Sequence, residues 1–216
     1  MLRIILRTQI GVLMPIEIEK KYRLTKNQRD EVLLRLPEIG AKREGEAFEV
    51  NTLYTGETLD VTRSVLRLRR IGDRGVLTYK ESLPPRLGMK HRREDETRVD
   101  DPDAMELILD ALGFAPALVY EKRRETWRLA QTEIVIDELP FGLFMEIEGS
   151  EKDISEIESK LAIKRLKTET LSYPRLVLKH GAKNGGRIES RFLSKKKKRP
   201  RQLGAKPLGS VRRKGI

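Results

Sequence analysis

Polar and apolar residues alternate along eight stretches of this chain, which is the pattern of β-strands with two different faces. In residues 15–22 the alternation places two isoleucines on one face and Glu17, Glu19 and Lys21 on the other. The same pattern recurs in residues 48–54, 65–70, 76–80, 90–99, 119–129, 133–139 and 143–148. We therefore expect a protein built mainly on β-strands.

Three further stretches carry apolar residues at helical spacing behind a capping signal. They are residues 26–36 after Thr25, residues 102–112 after Asp101, and residues 154–161, for which Asp153 is the expected cap. A short fourth helix is expected near residues 176–178, and the prolines of residues 81–89 predict a loop there. The chain thus has enough amphipathic helices to cover the apolar face of a sheet.

The positive charge of the chain is concentrated at its ends. The formal net charge is +12, but residues 181–216 alone hold 13 Lys and Arg and one acidic residue. Residues 1–13 contribute two arginines, so residues 14–180 hold 30 basic and 32 acidic side chains. We therefore divide the chain into an N-terminal extension (1–13), a folded domain (14–181) and a basic tail that we expect to be disordered (182–216).

The chain lacks cysteine and any long apolar segment. Without cysteine there is no disulfide framework and no thiolate nucleophile or metal ligand. The longest apolar stretch lies near the N-terminus, where Arg7, Thr8 and Gln9 interrupt it, and it is too short to span a membrane. It also lacks the apolar region and cleavage site of a signal sequence. We expect a cytoplasmic protein without a membrane partner.

The charged faces of the predicted strands need a physical explanation. They carry Glu17, Glu19, Lys21, Arg67, Arg69, Lys80, Arg92, Glu94, Glu96, Lys122, Arg124, Asp137, Glu146 and Glu148. A two-sheet sandwich would bury the apolar faces and leave these charges in water, which is the commonest environment of such residues. A closed barrel with helices outside would instead turn the charges into its lumen. The alternation alone is compatible with both arrangements.

The residue types on these faces favour one class of ligand for such a lumen. Carboxylates and cations inside a protein are costly unless they are paired. Two carboxylates two positions apart on a strand lie about 7 Å apart and can share a hard divalent cation such as Mg²⁺ or Mn²⁺. Lys and Arg side chains suit phosphate oxygens. The pattern therefore indicates a metal-bound polyphosphate.

Six ordered motifs resemble those of the CYTH domains, also called triphosphate tunnel metalloenzymes. They are Glu17-x-Glu19-x-Lys21, Leu66-Arg67-Leu68-Arg69, Leu77-Thr78-Tyr79-Lys80, Arg92-x-Glu94-x-Glu96, Lys122-x-Arg124 and the run from Asp137 to Glu148. The resemblance covers about residues 14–180. It implies an α+β fold, in which an eight-stranded antiparallel β-barrel forms a tunnel with a charged lumen and helices packed outside.

The same resemblance implies a role for each charged residue. One or two divalent cations, Mg²⁺ or Mn²⁺, would be bound by Glu17, Glu19, Asp137, Glu146 and Glu148. The phosphates would be held by Lys21, Arg67, Arg69, Lys80, Arg92, Lys122 and Arg124. Lys21, Glu94 and Glu96 would take part in catalysis, Lys21 by positioning the nucleophile and the glutamates by orienting or deprotonating it.

The chain is most similar to the class IV adenylyl cyclases of this superfamily, which implies conversion of ATP to cyclic AMP and pyrophosphate. A triphosphatase acting on inorganic triphosphate, thiamine triphosphate or a nucleoside triphosphate uses the same apparatus and remains an alternative. Related triphosphatases often follow the second strand with Asn-Thr-Tyr-Phe-Asp-Thr, whereas residues 51–56 here lack the acid. A non-catalytic polyphosphate- or nucleotide-binding module is a third alternative, although simple anion binding does not need four glutamates.

The first partner that the sequence predicts is a small-molecule substrate that bears a triphosphate. The basic tail is either a solubilising extension or an arm that binds polyanions weakly and in a salt-dependent way. A homodimer remains an open alternative.

Overall fold

The computed structural model describes residues 18–86 and 89–193. In chain order its elements are β1 (Ile18–Leu24), α1 (Lys26–Glu38), β2 (Lys42–Thr55), β3 (Ser64–Ile71), β4 (Arg74–Arg86), β5 (Met89–Val99), α2 (Pro102–Ala111), β6 (Ala115–Leu129), β7 (Thr132–Leu139), β8 (Gly142–Gly149), α3 (Glu151–Lys160), α4 (Tyr173–His180), β9 (Ala182–Asn184) and β10 (Arg187–Ser190). All eight predicted strands are present, and two short strands follow them. None of the helices in this part of the chain has the length and apolar character that a membrane crossing requires.

Strands β1 to β8 form a single curled sheet in the order β1-β8-β7-β6-β2-β3-β4-β5. Every neighbouring pair along this order is antiparallel. The predicted antiparallel tunnel fold is therefore confirmed. Within the described residues, β1 and β5 end the order without pairing with each other, so the sheet is strongly curled but not hydrogen-bonded into a closed ring.

The strand register gathers the charged residues on one side of the sheet. Lys21 of β1 lies opposite Glu146 of β8, and Arg124 of β6 lies opposite Asp137 of β7. Directly opposite residues of an antiparallel pair project from the same side. We call this side the concave face; its residues include Glu19, Lys21, Glu49, Asn51, Arg67, Arg69, Thr78, Lys122, Arg124, Asp137, Glu146 and Glu148.

Helices cover the opposite, apolar face of the sheet. Val32 and Leu36 of α1 and Ile154 and Ile157 of α3 belong to one core with residues of β1, β7 and β8. Leu109 of α2 belongs to a second core with residues of β3 and β5. Full burial of such a side chain is worth roughly 1.5–3 kcal/mol. Because helices take up the apolar face, the two-sheet sandwich is excluded and the charges lie on the inner side.

Helix α4 packs against the concave side of the sheet instead. Its Tyr173 and Leu176 are buried in a cluster with Leu139 and Phe144. These two residues lie where β7 ends and β8 begins, so α4 fills one end of the concave face. The short helix expected near residues 176–178 is thereby confirmed, and its N-terminal tyrosine faces the charged residues.

The helix N-caps follow the sequence prediction in two of three cases. Thr25 and Asp101 each accept a hydrogen bond from a backbone N–H of the helix that follows. For α3 the predicted cap, Asp153, is wrong. Ser150 caps this helix, and its hydroxyl oxygen accepts a hydrogen bond from the backbone N–H of Asp153 itself. Helix α3 therefore begins at Glu151, earlier than expected.

The loop predicted at residues 81–89 is wrong for most of that stretch. Strand β4 continues to Arg86, and β5 begins at Met89. Strand β4 pairs with β3 only as far as Glu81, and its pairing with β5 becomes irregular after Leu83. The two prolines are tolerated there because a residue without an N–H suits a strand with one free side or an irregularity in the pairing.

The folded part extends beyond the boundary predicted at residue 181. Strands β9 and β10 pair with each other, and β10 pairs in parallel with β6. Glu121 of β6 then accepts hydrogen bonds from the backbone N–H of Phe192 at 2.8 Å and from the guanidinium of Arg191 at 3.1 Å. These contacts hold the chain up to residue 192. Residues 1–17 and 194–216 lie outside the described residues.

Candidate functional site

Asp137 lies at the centre of a network of charged groups on the concave face. It is fully buried on β7 and accepts two hydrogen bonds from Arg124, at 2.8 Å from Nε and 2.6 Å from Nη2. The hydroxyl of Tyr173 donates to it at 2.7 Å, and the ammonium of Lys122 lies 3.5 Å away. Burial alone would raise the pKa of Asp137, but Lys122, Arg124 and Tyr173 outweigh burial and lower that pKa. Both carboxylate oxygens are therefore occupied by donors.

Arg124 connects this carboxylate to the next strands. Its Nη2 atom lies 2.8 Å from Oε2 of Glu146, whose other oxygen lies 2.9 Å from the ammonium of Lys21. The same ammonium lies 3.4 Å from Oε1 of Glu19. Burial, together with the charges of Asp137 and Glu19, raises the pKa of Glu146. Negative charge thus accumulates where β7, β8 and β1 meet.

Glu49 extends the network to β2 and β3. Only 2% of this residue is exposed, and its Oε2 atom lies 3.2 Å from Nζ of Lys122 and 3.7 Å from Nε of Arg69. The side-chain amide of Asn51 donates to it at 3.3 Å. Burial alone would raise the pKa of Glu49, but the charges of Lys122, Arg69 and Arg124 lower it. Glu49 is therefore an ionised, buried carboxylate among cations.

Two arginines of β3 each have a guanidinium N–H without a hydrogen-bond acceptor among the described residues. The Nε atoms of Arg67 and Arg69 are buried and have no hydrogen-bond partner among the described residues. Arg67 donates from Nη2 to the hydroxyl of Thr78 at 3.3 Å, and that hydroxyl donates to Glu96 at 3.0 Å. Burial and the charge of Arg67 lower the pKa of Arg69. An unsatisfied buried donor costs about 1–3 kcal/mol, so a hydrogen-bond acceptor placed beside either Nε atom would remove this cost.

The local sequence determines which way these arginines point. Leu66 and Leu68 alternate with them along β3 and are buried in the core beneath α2. Because successive side chains of a strand point to opposite faces, Arg67 and Arg69 must lie on the concave face. The same alternation in β8, where Met145 is fully buried outside, directs the glutamates of that strand inward.

Tyr173 enters the network from α4 and contacts both of its lysines. The ammonium of Lys21 lies 4.2 Å from the centre of the tyrosine ring, and that of Lys122 lies 5.4 Å from it. Burial raises the pKa of the Tyr173 hydroxyl well above its ordinary value, and the charge of Asp137 adds to this effect. The hydroxyl therefore remains a donor.

Most of the predicted site residues lie on this one face. The structure brings together Glu19, Lys21, Arg67, Arg69, Lys122, Arg124, Asp137, Glu146 and Glu148. Lys80 and Glu94 lie apart from the network as an ion pair of 2.9 Å, each side chain being 41% exposed. Glu96 is exposed but joins the network through Thr78. Glu17 and the side chain of Arg92 lie outside the described part, so their roles stay predictions.

The carboxylates suit a hard divalent cation in their chemistry. The ammonium of Lys21 lies between the carboxylates of Glu19 and Glu146, so these two carboxylates already hold one cation. Within residues 18–86 and 89–193, no three acidic or histidine side chains lie close enough together to hold a metal ion. A metal at this place would therefore need a ligand in addition to the described ones, and Glu17 is the predicted residue that could supply it.

The structure adds three residues that the sequence had not singled out: Glu49, Thr78 and Tyr173. Glu49 could have been found from the sequence, because it shares a face with Asn51 in a strand that the alternation predicts. Thr78 lies inside a recognised motif and is buried between Arg67 and Glu96. Tyr173 had no signal, because a helix brings it to the sheet from a distant part of the chain.

Comparison with known proteins assigns the fold to a family. The sequence model of the CYTH domain matches residues 15–176. The chain belongs to the CYTH family. A protein of Methanocaldococcus jannaschii named "Putative adenylate cyclase" is 30% identical over 149 residues, which cover 68% of this chain and 83% of that protein. This CYTH match ends before β9 and β10, which lie beyond it in the chain.

Two solved structures illustrate the likeness of this CYTH chain in three dimensions. A Pyrococcus horikoshii protein is 26% identical with a TM-score of 0.63, covering 74% of this chain and 99% of that one. A Hippeastrum protein is 17% identical with a TM-score of 0.57, covering 80% of this chain and 100% of that one. The latter is named "Putative adenylyl cyclase" and is described as revealing a dominant triphosphatase activity.

Proposed function

We propose that this CYTH protein is a metal-dependent enzyme that binds a triphosphate on the concave face. The observation that carries the proposal is the pair of buried guanidinium Nε atoms of Arg67 and Arg69, which lack acceptors among the described residues. Lys21, Lys122 and Arg124 would complete the inner phosphate contacts. A triphosphate supplies anionic oxygens that can satisfy such donors, since charge-assisted contacts to phosphate are among the stronger hydrogen bonds. Lys80 and Arg92 would contact phosphates nearer to β5.

The divalent cation, Mg²⁺ or Mn²⁺, would be held by Glu17, Glu19, Glu146 and Glu148. When bound, such an ion neutralises phosphate charge and can lower the pKa of a water molecule. Asp137 would assist indirectly, because its oxygens are already occupied by Arg124, Tyr173 and Lys122. Its role would be to hold the guanidinium of Arg124 in place for the phosphates.

The predicted proton-transfer residues differ in how well their surroundings support the role. Glu96 is joined through Thr78 to Arg67, so it lies beside one of the proposed phosphate contacts. Glu94 forms an ion pair with Lys80 at a more exposed position. We therefore assign the acceptance of the nucleophile's proton to Glu96 and a supporting role to Glu94. Lys21 would position the nucleophile.

The reaction favoured is that of a class IV adenylyl cyclase. In it the ribose 3′-hydroxyl attacks the α-phosphorus, the bond to the bridging oxygen breaks, and pyrophosphate leaves. The name of the Methanocaldococcus jannaschii relative supports this choice. Hydrolysis of a terminal phosphate is the second candidate, because the Hippeastrum structure shares the fold and is described with that activity. The same phosphate contacts would serve either reaction.

Product identity tests the proposal. The full chain is incubated separately with ATP, inorganic triphosphate and thiamine triphosphate, each with Mg²⁺ or Mn²⁺, and the products are separated by chromatography. Cyclic AMP with pyrophosphate identifies a cyclase, and orthophosphate identifies a triphosphatase. Metal-dependent binding without turnover of any of the three would contradict catalysis and leave a binding module.

Two variants test the metal ligands. We expect Glu17→Gln and Glu148→Gln to lower metal-dependent turnover by about 100-fold or more while the thermal unfolding temperature stays near that of the wild type. Glu138→Gln is the matched control, because its carboxylate lies on the outer side of β7 in an exposed ion pair with Arg123. Turnover close to that of the wild type in both Glu17→Gln and Glu148→Gln would refute the metal assignment.

A further inference from the structure

Glu49 is an acid in the part of the site where an anionic substrate should meet only cations. It lies on β2, away from the acids of β1 and β8, and its register neighbours are Lys122 on β6 and Ile71 on β3. Its carboxylate lies 3.2 Å from the Lys122 ammonium and 3.7 Å from Arg69 Nε. With 2% exposure, it has almost no contact with solvent. A buried carboxylate at this place needs a reason.

The contacts of Glu49 leave its two cations unequally neutralised. Lys122 also lies 3.5 Å from Asp137, so two carboxylates share its charge. Arg69 has Glu49 as its one ion-pair partner among the described residues, and its Nε atom remains without a hydrogen bond. A phosphate that satisfies this guanidinium must therefore approach a group that lies within 4 Å of a negative charge.

We propose that Glu49 is a specificity-determining residue that acts as a built-in counter-anion. Its negative charge repels a phosphate bound beside Arg69 and Lys122, and so weakens the binding of a highly charged anion at this end of the site. The inference rests on the proposed function, because it concerns the same phosphate contacts. Its consequence is that free polyphosphates, including a pyrophosphate product, bind less tightly than the number of nearby cations alone would allow.

Repulsion between like charges explains the expected size of the effect. Two unit charges a few ångströms apart in a partly buried site interact strongly enough to change an affinity by at least about tenfold. Replacing Glu49 with glutamine keeps the shape and the acceptor for Asn51 but removes the charge. The variant should therefore bind inorganic triphosphate and pyrophosphate about tenfold more tightly or better, which corresponds to about 1.4 kcal/mol.

A purely structural role for Glu49 predicts the opposite result. If the carboxylate served only to hold Lys122 and Arg69 in position, its removal would let both cations move and would weaken anion binding. Glu49→Asp separates the two roles, because it keeps the charge while withdrawing it from both cations. The counter-anion role predicts polyphosphate affinities for Glu49→Asp within about threefold of the wild type, well short of the gain in Glu49→Gln.

Calorimetric titration of the full chain with inorganic triphosphate and with pyrophosphate, with and without Mg²⁺, tests this inference. The matched control is Glu46→Gln, which removes an exposed acid from the same strand, where it is paired with Arg43. We expect Glu46→Gln to leave both affinities within about twofold of the wild type. Thermal unfolding of every variant identifies those that fold.

The outcomes separate failure of the inference from failure of the proposed function. If neither the wild-type chain nor any folded variant binds either polyphosphate, the proposed function fails. If the wild-type chain binds them and Glu49→Gln binds equally or more weakly, the counter-anion role is overturned while the proposed function stands. Should Glu49→Gln not fold, the folded Glu49→Asp variant decides, since affinity reduced by more than about threefold would show that positioning dominates.

Discussion

Replacement of Arg124 by methionine should destabilise the protein strongly, because it removes the common partner of two buried carboxylates. Arg124 bonds Asp137 at 2.8 and 2.6 Å and Glu146 at 2.8 Å. Asp137 is 0% exposed, and the Glu146 side chain is 12% exposed, so water can replace few of the lost donors. Breaking a buried ion pair by removing one partner costs about 3–5 kcal/mol.

The neighbouring Arg123 provides a matched control for this experiment. It lies on the outer face, 3.1 Å from Glu138, with the two side chains 53% and 43% exposed. An exposed pair of this kind contributes about 0–1 kcal/mol, and loss of the guanidinium packed over the Phe192 ring adds a comparable amount. Arg123→Met should therefore cost at most about 2 kcal/mol.

Urea denaturation and thermal unfolding measure the difference between the two variants. For a chain of this size 1 kcal/mol corresponds to about 2–4 °C, so Arg124→Met should lower the unfolding temperature by roughly 6–20 °C. Adding Asp137→Asn to Arg124→Met should recover part of the loss, because one of the two carboxylates that have lost the guanidinium is then neutral. The reasoning is refuted if Arg124→Met destabilises the chain no more than Arg123→Met does.

Three further predictions concern the surroundings of the site. Tyr173→Phe removes a 2.7 Å hydrogen bond to a buried carboxylate and should cost about 1.5–3 kcal/mol of unfolding free energy; a loss below about 0.5 kcal/mol contradicts this. Glu158 accepts hydrogen bonds from Lys20 at 2.6 Å and Tyr22 at 2.7 Å, which outweigh burial and lower its pKa. Its stabilising contribution is therefore present above about pH 4.3 and is lost as the pH falls through the lowered pKa. Glu158→Gln and the wild type should therefore differ in stability at pH 7 and converge once the pH is below that lowered pKa; a difference independent of pH contradicts this. Deleting residues 194–216 should leave the unfolding temperature within about 2 °C, and unchanged polyphosphate binding at low salt would exclude the predicted polyanion-binding arm.

The face on which each charged residue lies could be predicted from the sequence, because alternation along a strand has a period of two. Arg67 and Arg69 share a face whatever the partners of their strand are, and the buried leucines between them settle which face it is. The helices were predictable for a similar reason. Capping residues and apolar spacing are features of the local sequence, so they can be recognised without the fold. Once these helices cover the apolar face of the sheet, the charges must point to the inner side.

The depth of each residue within the site could not be predicted, because it depends on packing across the sheet. Glu49 and Glu94 both occur in alternating stretches, yet the first is 2% exposed while the side chain of the second is 41% exposed. The difference arises from strand order, since β2 is an inner strand and β5 ends the sheet. Tyr173 reaches the network through α4, whose docking on the concave face no local pattern indicates.

The ion pairs of the concave face imply that triphosphate binding is an exchange of partners. Lys21, Lys122 and Arg124 are already paired with carboxylates, so a phosphate gains only the difference between its contacts and the existing ones. Arg67 differs, because its Nε donor has no hydrogen-bond partner among the described residues, and Arg69 gives up only a 3.7 Å contact between its Nε atom and Glu49. The strongest net gain per contact should therefore come from β3. It follows that substitution of either arginine by lysine, which keeps the charge but lacks the Nε–H, should weaken triphosphate binding.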